Sequence, residues 1–144
     1  KASYPLPDSH HLDGRVRFEF MMGISDTRNG SDWQQDNPER VDKMCEFVVD
    51  QRKVIPVTEV SIRGAYLQIE ARRDHDTSES LGEIRSTTFI CGGKYDGLAP
   101  PSNLEALHAG ILNSILKFYE GGHLFMIQDK NAIVDIQAFL AEGE

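Results

Sequence analysis

Two short apolar runs, each ended by a glycine pair, stand out in the second half of the chain. The runs are Thr88–Cys91 and Ile115–Tyr119, and after each glycine pair comes one titratable side chain, Asp96 in the first case and His123 in the second. Short apolar runs bounded by glycine are typical of buried strands. The pattern therefore predicts two strands, each followed by a turn and a polar residue.

The segment between the two runs has the features of a helix. Ser102 and Glu105 have the spacing of a reciprocal capping box. Leu104, Leu107 and Ile111 follow as an apolar stripe. A strand, a helix and a second strand in this order predict a parallel pair joined by a right-handed crossover.

The parallel pairing brings Asp96 and His123 to one place. Loops that follow the carboxyl ends of parallel strands lie at the same rim of the sheet, where ligands bind in folds of this class. We therefore expect the two side chains to lie next to each other.

Helical periodicity dominates the rest of the chain. Asn37-Pro38 predicts a helix start, and Thr58, Thr77 and Asp129 are predicted caps of three further helices. The second of these helices is short and ends near Leu81.

Between Lys1 and Asp13, and again between Gly23 and Asp36, turn-forming residues predict loops. Val16–Met22 fits a strand or a buried helical turn, and we favour the helix. A break is expected at Pro56. The predicted apolar stripes are Val41, Met44, Cys45 and Val48; Ile62, Ala65, Tyr66 and Ile69; and Ile133, Ile136, Phe139 and Leu140.

Composition excludes some partners. The 144 residues carry a formal net charge of -8 and the pI is about 5.1, which argues against nucleic acid and anionic membranes. The start of the chain lacks the apolar segment of a signal peptide, and no run approaches membrane-spanning length.

Cys45 and Cys91 are the only cysteines. We interpret them as buried free thiols, which favours a cytoplasmic protein. No Cys/His spacing suggests a zinc site, and no cofactor is expected. His10 and His11, without a third ligand in view, are interpreted as solvated side chains rather than a metal pair.

The pattern Gly-Gly-Lys-Tyr-Asp-Gly-Leu-Ala-Pro, followed later by Gly-Gly-His, resembles the α/β-hydrolases. In that family the acid follows the next-to-last strand and the histidine follows the last. The resemblance implies that Asp96 is the acid of a catalytic triad and that His123 is its general base. The carboxylate would hold the imidazole in one tautomer while the other ring nitrogen takes a proton from a serine.

One part of the family pattern is absent from this sequence. It contains no Gly-x-Ser-x-Gly, the elbow that carries the nucleophile, and no His-Gly-Gly segment for an oxyanion hole. The resemblance therefore implies an α/β fold in the form of the C-terminal portion of a hydrolase: a helical cap-like region at residues 1–83, then two parallel strands with flanking helices at residues 84–144. A half core with exposed strand edges predicts a complementary N-terminal half carrying the serine, or self-association.

Other interpretations of single residues and of the function remain open. In a cap region Trp33 would line the pocket for a small acyl substrate, although simple packing explains it as well. His75 lies in a segment that resembles the junction between cap and core. The main alternative to a hydrolase half is a non-catalytic interaction or regulatory fragment that keeps the fold. The third hypothesis is an unrelated small binding domain, in which Asp96 and His123 have the spacing of the family by chance.

Overall fold

The computed structural model describes residues 14–53 and 58–142, with the side chains of residues 14–48 and 58–142. This part of the chain is a mixture of helices and two strands. In chain order the elements are α1 (Gly14–Ser25), a 3-10 turn (Thr27–Asn29), α2 (Ser31–Asp36), α3 (Pro38–Lys53), α4 (Glu59–Arg73), a 3-10 helix (Ser78–Glu83), β1 (Thr88–Gly93), α5 (Pro101–Gly110), β2 (Ser114–Tyr119), α6 (Phe125–Gln128) and α7 (Lys130–Ala141).

The strands β1 and β2 pair in parallel, as the sequence predicts. Thr88 pairs with Ser114 and Gly93 with Tyr119, so both strands end at the same level. The helix α5 connects them and packs on the sheet through Leu104. A β-carbon at Gly92 would lie 2.5 Å from Cδ2 of Leu104, so the helix approaches as closely as glycine permits.

The start of α5 differs from the prediction. The helix begins at Pro101, and Pro100 occupies the N-cap position without a side-chain hydrogen bond. Proline is well suited to the first helical position because it has no N–H to satisfy there. Ser102 therefore already lies inside the first turn, so the predicted capping box with Glu105 is wrong.

The helix α7 begins as predicted, with Oδ1 of Asp129 accepting a hydrogen bond from the backbone N of Asn131. It covers the sheet with a face that contains Ile136 and Phe139 of the predicted stripe, both of which are half buried. Ala132 is fully buried and the ring of Phe139 packs on Phe89 at 5.3 Å between centroids. Ile133 and Leu140 of the predicted stripe are exposed, and a small residue, Ala132, takes the innermost position.

The first half of the described chain is more helical than expected. Val16–Met22 lies in α1, which confirms the preference for helix, and α3 begins at Pro38 as predicted. The predicted loop at residues 23–36 is wrong, since it holds the end of α1, a 3-10 turn and α2. Its polar residues act as helix ends: Asp26 accepts from the backbone N of Arg28, and Gly30 precedes α2.

The helix α4 begins at Glu59, and Thr58 is its N-cap in a capping box with Ser61, so the predicted cap is confirmed. Its predicted apolar stripe does not form a core: Ile62, Tyr66 and Ile69 are each half exposed or more. The following 3-10 helix has Thr77 at its N-cap position, but its side chain makes no capping bond there. The carboxylate of Asp76 accepts from the backbone N of Ser78 instead.

Several expectations fall partly or wholly outside the described residues. The loop at residues 1–13, His10, His11 and the break at Pro56 lie outside them. Cys45 and Cys91 are free thiols, of which Cys45 is buried and Cys91 half buried. Within residues 14–53 and 58–142, no helix is long and apolar enough to cross a membrane. The division of the chain at residue 83 stays a prediction.

Candidate active site

The loops after β1 and β2 continue to hold each other beyond the strands. The backbone N of Lys94 donates to the carbonyl oxygen of Tyr119 at 3.0 Å, and the N of Tyr95 donates to the carbonyl oxygen of Gly121 at 2.9 Å. Gly93 permits this approach. A β-carbon at Gly93 would lie 2.2 Å from the carbonyl oxygen of Gly122. The two loops therefore form one rim.

Asp96 lies in the first of these loops, with only 6% of its surface exposed. Its Oδ1 accepts hydrogen bonds from the backbone N of Leu98 at 2.8 Å and of Ala99 at 2.9 Å. This is the turn that an aspartate before glycine tends to form. The two bonds fix the carboxylate and leave Oδ2 directed at the second loop.

His123 lies in the second loop and completes the contact. Its Nδ1 is 3.0 Å from Oδ2 of Asp96. A carboxylate only accepts, so the geometry places the ring proton on Nδ1 and leaves Nε2 as the basic nitrogen. The His123 side chain is 49% exposed, whereas that of Asp96 is 6% exposed. A buried carboxylate behind a half-exposed imidazole is the arrangement of the acid and base of a catalytic triad.

A third segment meets the same rim: the end of α1 and the turn that follows it. The carbonyl oxygen of Ser25 accepts from the backbone N of His123 at 2.6 Å, and that of Ile24 accepts from the N of Gly97 at 2.9 Å. In return, the N of Thr27 donates to the carbonyl oxygen of Tyr95 at 2.9 Å. Residues 24–27 thus clamp both loops through the backbone.

The sequence prediction missed this clamp. Its contacts involve carbonyl and amide groups, which every residue has, and they join positions between 68 and 98 residues apart. Asp26 is the one residue of the clamp with a local sequence signal. An aspartate carboxylate often accepts a hydrogen bond from the backbone N two residues later, which forms a turn. That signal indicates a turn but not its location against His123.

The clamp carries a charged cluster centred on Asp26, which is 4% exposed. The Arg28 guanidinium donates to both carboxylate oxygens, from Nε at 2.9 Å and from an Nη at 2.6 Å. These bonds from Arg28 hold the pKa of Asp26 below its ordinary value, against an opposing effect of burial. The guanidinium also lies 4.3 Å from the ring centroid of Tyr95. Arg28 therefore ties the clamp to the first loop as well.

Trp33 lies elsewhere. It is in α2, where the Arg40 guanidinium lies 5.5 Å from its ring centroid. The helix α2 packs against α1, α3 and the 3-10 turn. The role of Trp33 with substrate stays a prediction. His75 is exposed in the turn after α4.

A shallow pocket of about 230 Å³ lies between α1, α2 and α3 and is lined by Arg15, Glu19 and Gln34 among others. Its lining residues do not include Asp96 or His123. Among residues 14–53 and 58–142, no group of three or more His, Cys, Asp or Glu side chains could hold a metal ion.

Comparison with known proteins does not assign the chain to a family. No family model matches it, and neither a curated protein nor a solved structure matches it. The likeness to the α/β-hydrolases therefore depends on the motif residues and on the geometry of the rim.

Proposed function

We propose that this chain is the C-terminal portion of a serine hydrolase of the α/β-hydrolase type. In this proposal Asp96 is the triad acid and His123 the general base, and the serine comes from residues outside this sequence. The observation that supports it most strongly is the contact between Nδ1 of His123 and Oδ2 of Asp96 at 3.0 Å, at the carboxyl ends of two parallel strands.

The chemistry follows from the tautomer. With its proton on Nδ1, His123 presents Nε2 to take the proton of a serine hydroxyl as that oxygen attacks an acyl carbon. The imidazolium that forms is stabilised by the buried Asp96 carboxylate. His123 then returns the proton to the leaving alcohol or amine, and the same steps with water release the acid. No cofactor is needed for this sequence of steps.

The substrate class is an ester, amide or related acyl compound of small size. The nucleophile side and the oxyanion hole lie outside this sequence in the proposal, so this chain supplies only part of the pocket. Trp33 and the rest of residues 1–83 would form its cap.

The partner is a complementary N-terminal half, with self-association as the other way to cover the sheet. A two-stranded sheet is rarely stable by itself, because its edges present unpaired N–H and C=O groups. The apolar residues that α4 exposes, among them Val60 at 81%, are also suited to a protein partner. The same observation supports the second candidate function, a non-catalytic interaction fragment.

Complementation tests the proposal. The chain is coexpressed with a polypeptide encoded upstream of it that contains a Gly-x-Ser-x-Gly segment, and the complex is assayed for hydrolysis of a nitrophenyl ester. Turnover that disappears in His123→Gln, with the complex still assembled, supports the proposal. A stable complex without turnover favours the interaction fragment, and an upstream sequence without the serine segment contradicts the hydrolase.

A further inference from the structure

Gln128 connects the loop of His123 to the buried carboxylate of Asp26. Its Oε1 accepts from the backbone N of Gly122 at 2.8 Å, and its Nε2 donates to Oδ2 of Asp26 at 3.1 Å. One side-chain amide thus uses both of its ends, and the residues that it joins, Gly122 and Asp26, are both buried. Gly122 directly precedes the candidate base.

The loop has little freedom around this bridge. A β-carbon at Gly122 would lie 2.1 Å from the carbonyl oxygen of Ser25 and 2.7 Å from Cα of Asp26. A β-carbon at Gly121 would lie 2.7 Å from Oε1 of Gln128. Residues 121 and 122 are therefore in van der Waals contact with the clamp on one side and with Gln128 on the other.

The backbone that carries the imidazole is held by the same segments. The His123 side chain is half exposed, and Asp96 is the partner of its Nδ1. Two bonds hold the adjacent backbone, one from the N of His123 to Ser25 and one from the N of Gly122 to Gln128. Asp26 follows Ser25 in the clamp, and its carboxylate accepts a hydrogen bond from the side chain of Gln128.

We propose that Gln128 and Asp26 are positioning residues, which together hold Gly122 and His123 so that Nδ1 of the imidazole stays on Asp96. Neither side chain touches a reacting atom in this arrangement. The consequence for catalysis depends on the hydrolase function proposed above, whereas the effect on the imidazole is a property of this chain alone.

The ring tautomer of His123 measures this effect directly. Long-range proton–nitrogen NMR correlation on the ¹⁵N-labelled chain distinguishes a proton on Nδ1 from one on Nε2, and His123→Gln assigns the signals. The spectrum is taken at a pH where the measured titration shows the ring to be neutral. The intact chain should show the Nδ1-protonated form.

In Gln128→Ala the ratio of Nδ1-protonated to Nε2-protonated ring should fall by about fivefold to tenfold, as expected for the loss of a hydrogen bond that holds the loop. Gln137→Ala is the matched control, since Gln137 is exposed on α7. It should leave the ratio unchanged. A folded Gln128→Ala chain with an unchanged ratio overturns the inference.

If Gln128→Ala does not fold, a second pair of variants tests the inference by exchanging the carboxylate and the amide between positions 26 and 128. Gln128→Glu alone places a second carboxylate against that of Asp26, and the Nδ1-protonated form should be lost. Adding Asp26→Asn removes the second carboxylate and lets the Asn amide donate to the new one, which still accepts from Gly122. The Asn oxygen keeps the bond from Nε of Arg28, whereas the bond from the Arg28 Nη is lost. The double variant should therefore regain part of the Nδ1-protonated form, and equal spectra of the single and double variants overturn the inference.

The two proposals fail separately. If the tautomer responds as expected but the assembled complex hydrolyses no ester, the positioning role stands and the hydrolase function falls. If the tautomer does not respond while the complex is active and depends on His123, the hydrolase function stands without this role.

Discussion

Gly93 lies so close to Gly122 that a β-carbon on the first would be 2.2 Å from the carbonyl oxygen of the second. Both residues have negative φ angles, so close approach, not an unusual backbone conformation, requires glycine at position 93. This approach joins the loop of Asp96 to the loop of His123.

Gly93→Ala should therefore destabilise the fold by about 1–3 kcal/mol, because the new methyl group meets backbone atoms that cannot rotate away. Urea unfolding measures the effect. Gly64→Ala is the matched control: Gly64 lies inside α4, and a β-carbon there meets nothing within 4 Å. It should raise stability by about 0.5–1 kcal/mol. Equal midpoints for Gly93→Ala and the unchanged chain would contradict the close approach.

Asp26 makes the stability depend on acid pH. Its pKa is lowered in the folded protein, mainly by Arg28, from an ordinary value of 3.8. The unfolded chain thus binds the proton more readily. The contribution of Asp26 is fully present well above pH 3.8 and is lost as the pH falls through the lower folded value.

Asp26→Asn should remove this part of the acid dependence. Unfolding free energies measured between pH 2 and pH 7 should fall less steeply below about pH 4 in the variant, although it is less stable at neutral pH. Asp32→Asn, on the exposed start of α2, corrects for the loss of one negative charge. Parallel curves for Asp26→Asn and the unchanged chain would show that Arg28 does not stabilise the ionised form.

The sequence allowed the strands and the contact of Asp96 with His123 to be predicted, because each depends on a local signal. Two apolar runs of strand length, each ended by a glycine pair, determine where the strands stop. A single helix between them determines that they are parallel. The contact then follows from the topology and needs no knowledge of side chains.

The clamp at residues 24–27 could not be predicted, because the sequence has no local signal for its location. Its hydrogen bonds to Tyr95, Gly97 and His123 come from backbone groups, and the residues between Gly23 and Asp36 have the composition of a loop. The role of Gln128 was missed as well, because a glutamine in a four-residue helix has no periodic or capping signature. Such contacts depend on how distant segments pack.

Apolar periodicity also predicted more burial than the described chain has. The stripe of α4 has the right spacing for a helix, yet Ile62 and Tyr66 are 59% and 60% exposed. Periodicity indicates that a helix has an apolar face but not what covers it.

The isolated chain should not react as a serine hydrolase, because it lacks the nucleophile elbow. A fluorophosphonate probe should label no serine stoichiometrically, as judged by intact mass. Ser25 is the most informative control, since its carbonyl oxygen already binds the backbone N of His123. Labelling that disappears in Ser25→Ala would show that this chain contains its own nucleophile, and would contradict the proposal of a separate half.

The isolated chain should also associate in solution. Among residues 14–53 and 58–142 the sheet has two strands with unpaired edges, and α4 exposes Val60, Ile62 and Tyr66. Sedimentation velocity over a range of concentrations should show species heavier than the 16.2 kDa monomer. Replacing Ile62 and Tyr66 by Glu tests the α4 face, whereas the same change at exposed Gln68 is the control. A well-folded monomer at all concentrations would contradict the proposed half core.

Asp96→Asn separates the proposed catalytic role of Asp96 from its role in the turn. The Asn oxygen can still accept from the backbone N of Leu98 and Ala99, so the fold and the thermal midpoint should be retained. Its amide would then donate to Nδ1 of His123, which forces the ring proton onto Nε2.

A ring protonated on Nε2 cannot take the serine proton. In the complex with the proposed N-terminal half, Asp96→Asn should therefore lower kcat by about 10⁴-fold, the magnitude known for the same change in a serine protease triad. Asp96→Ala loses the turn acceptors as well, so it should lower the thermal midpoint in addition to kcat. A kcat within about tenfold of the unchanged enzyme, with the fold intact, would reduce Asp96 to a turn residue, because an orienting carboxylate that can be neutralised at so small a cost is not required by the base.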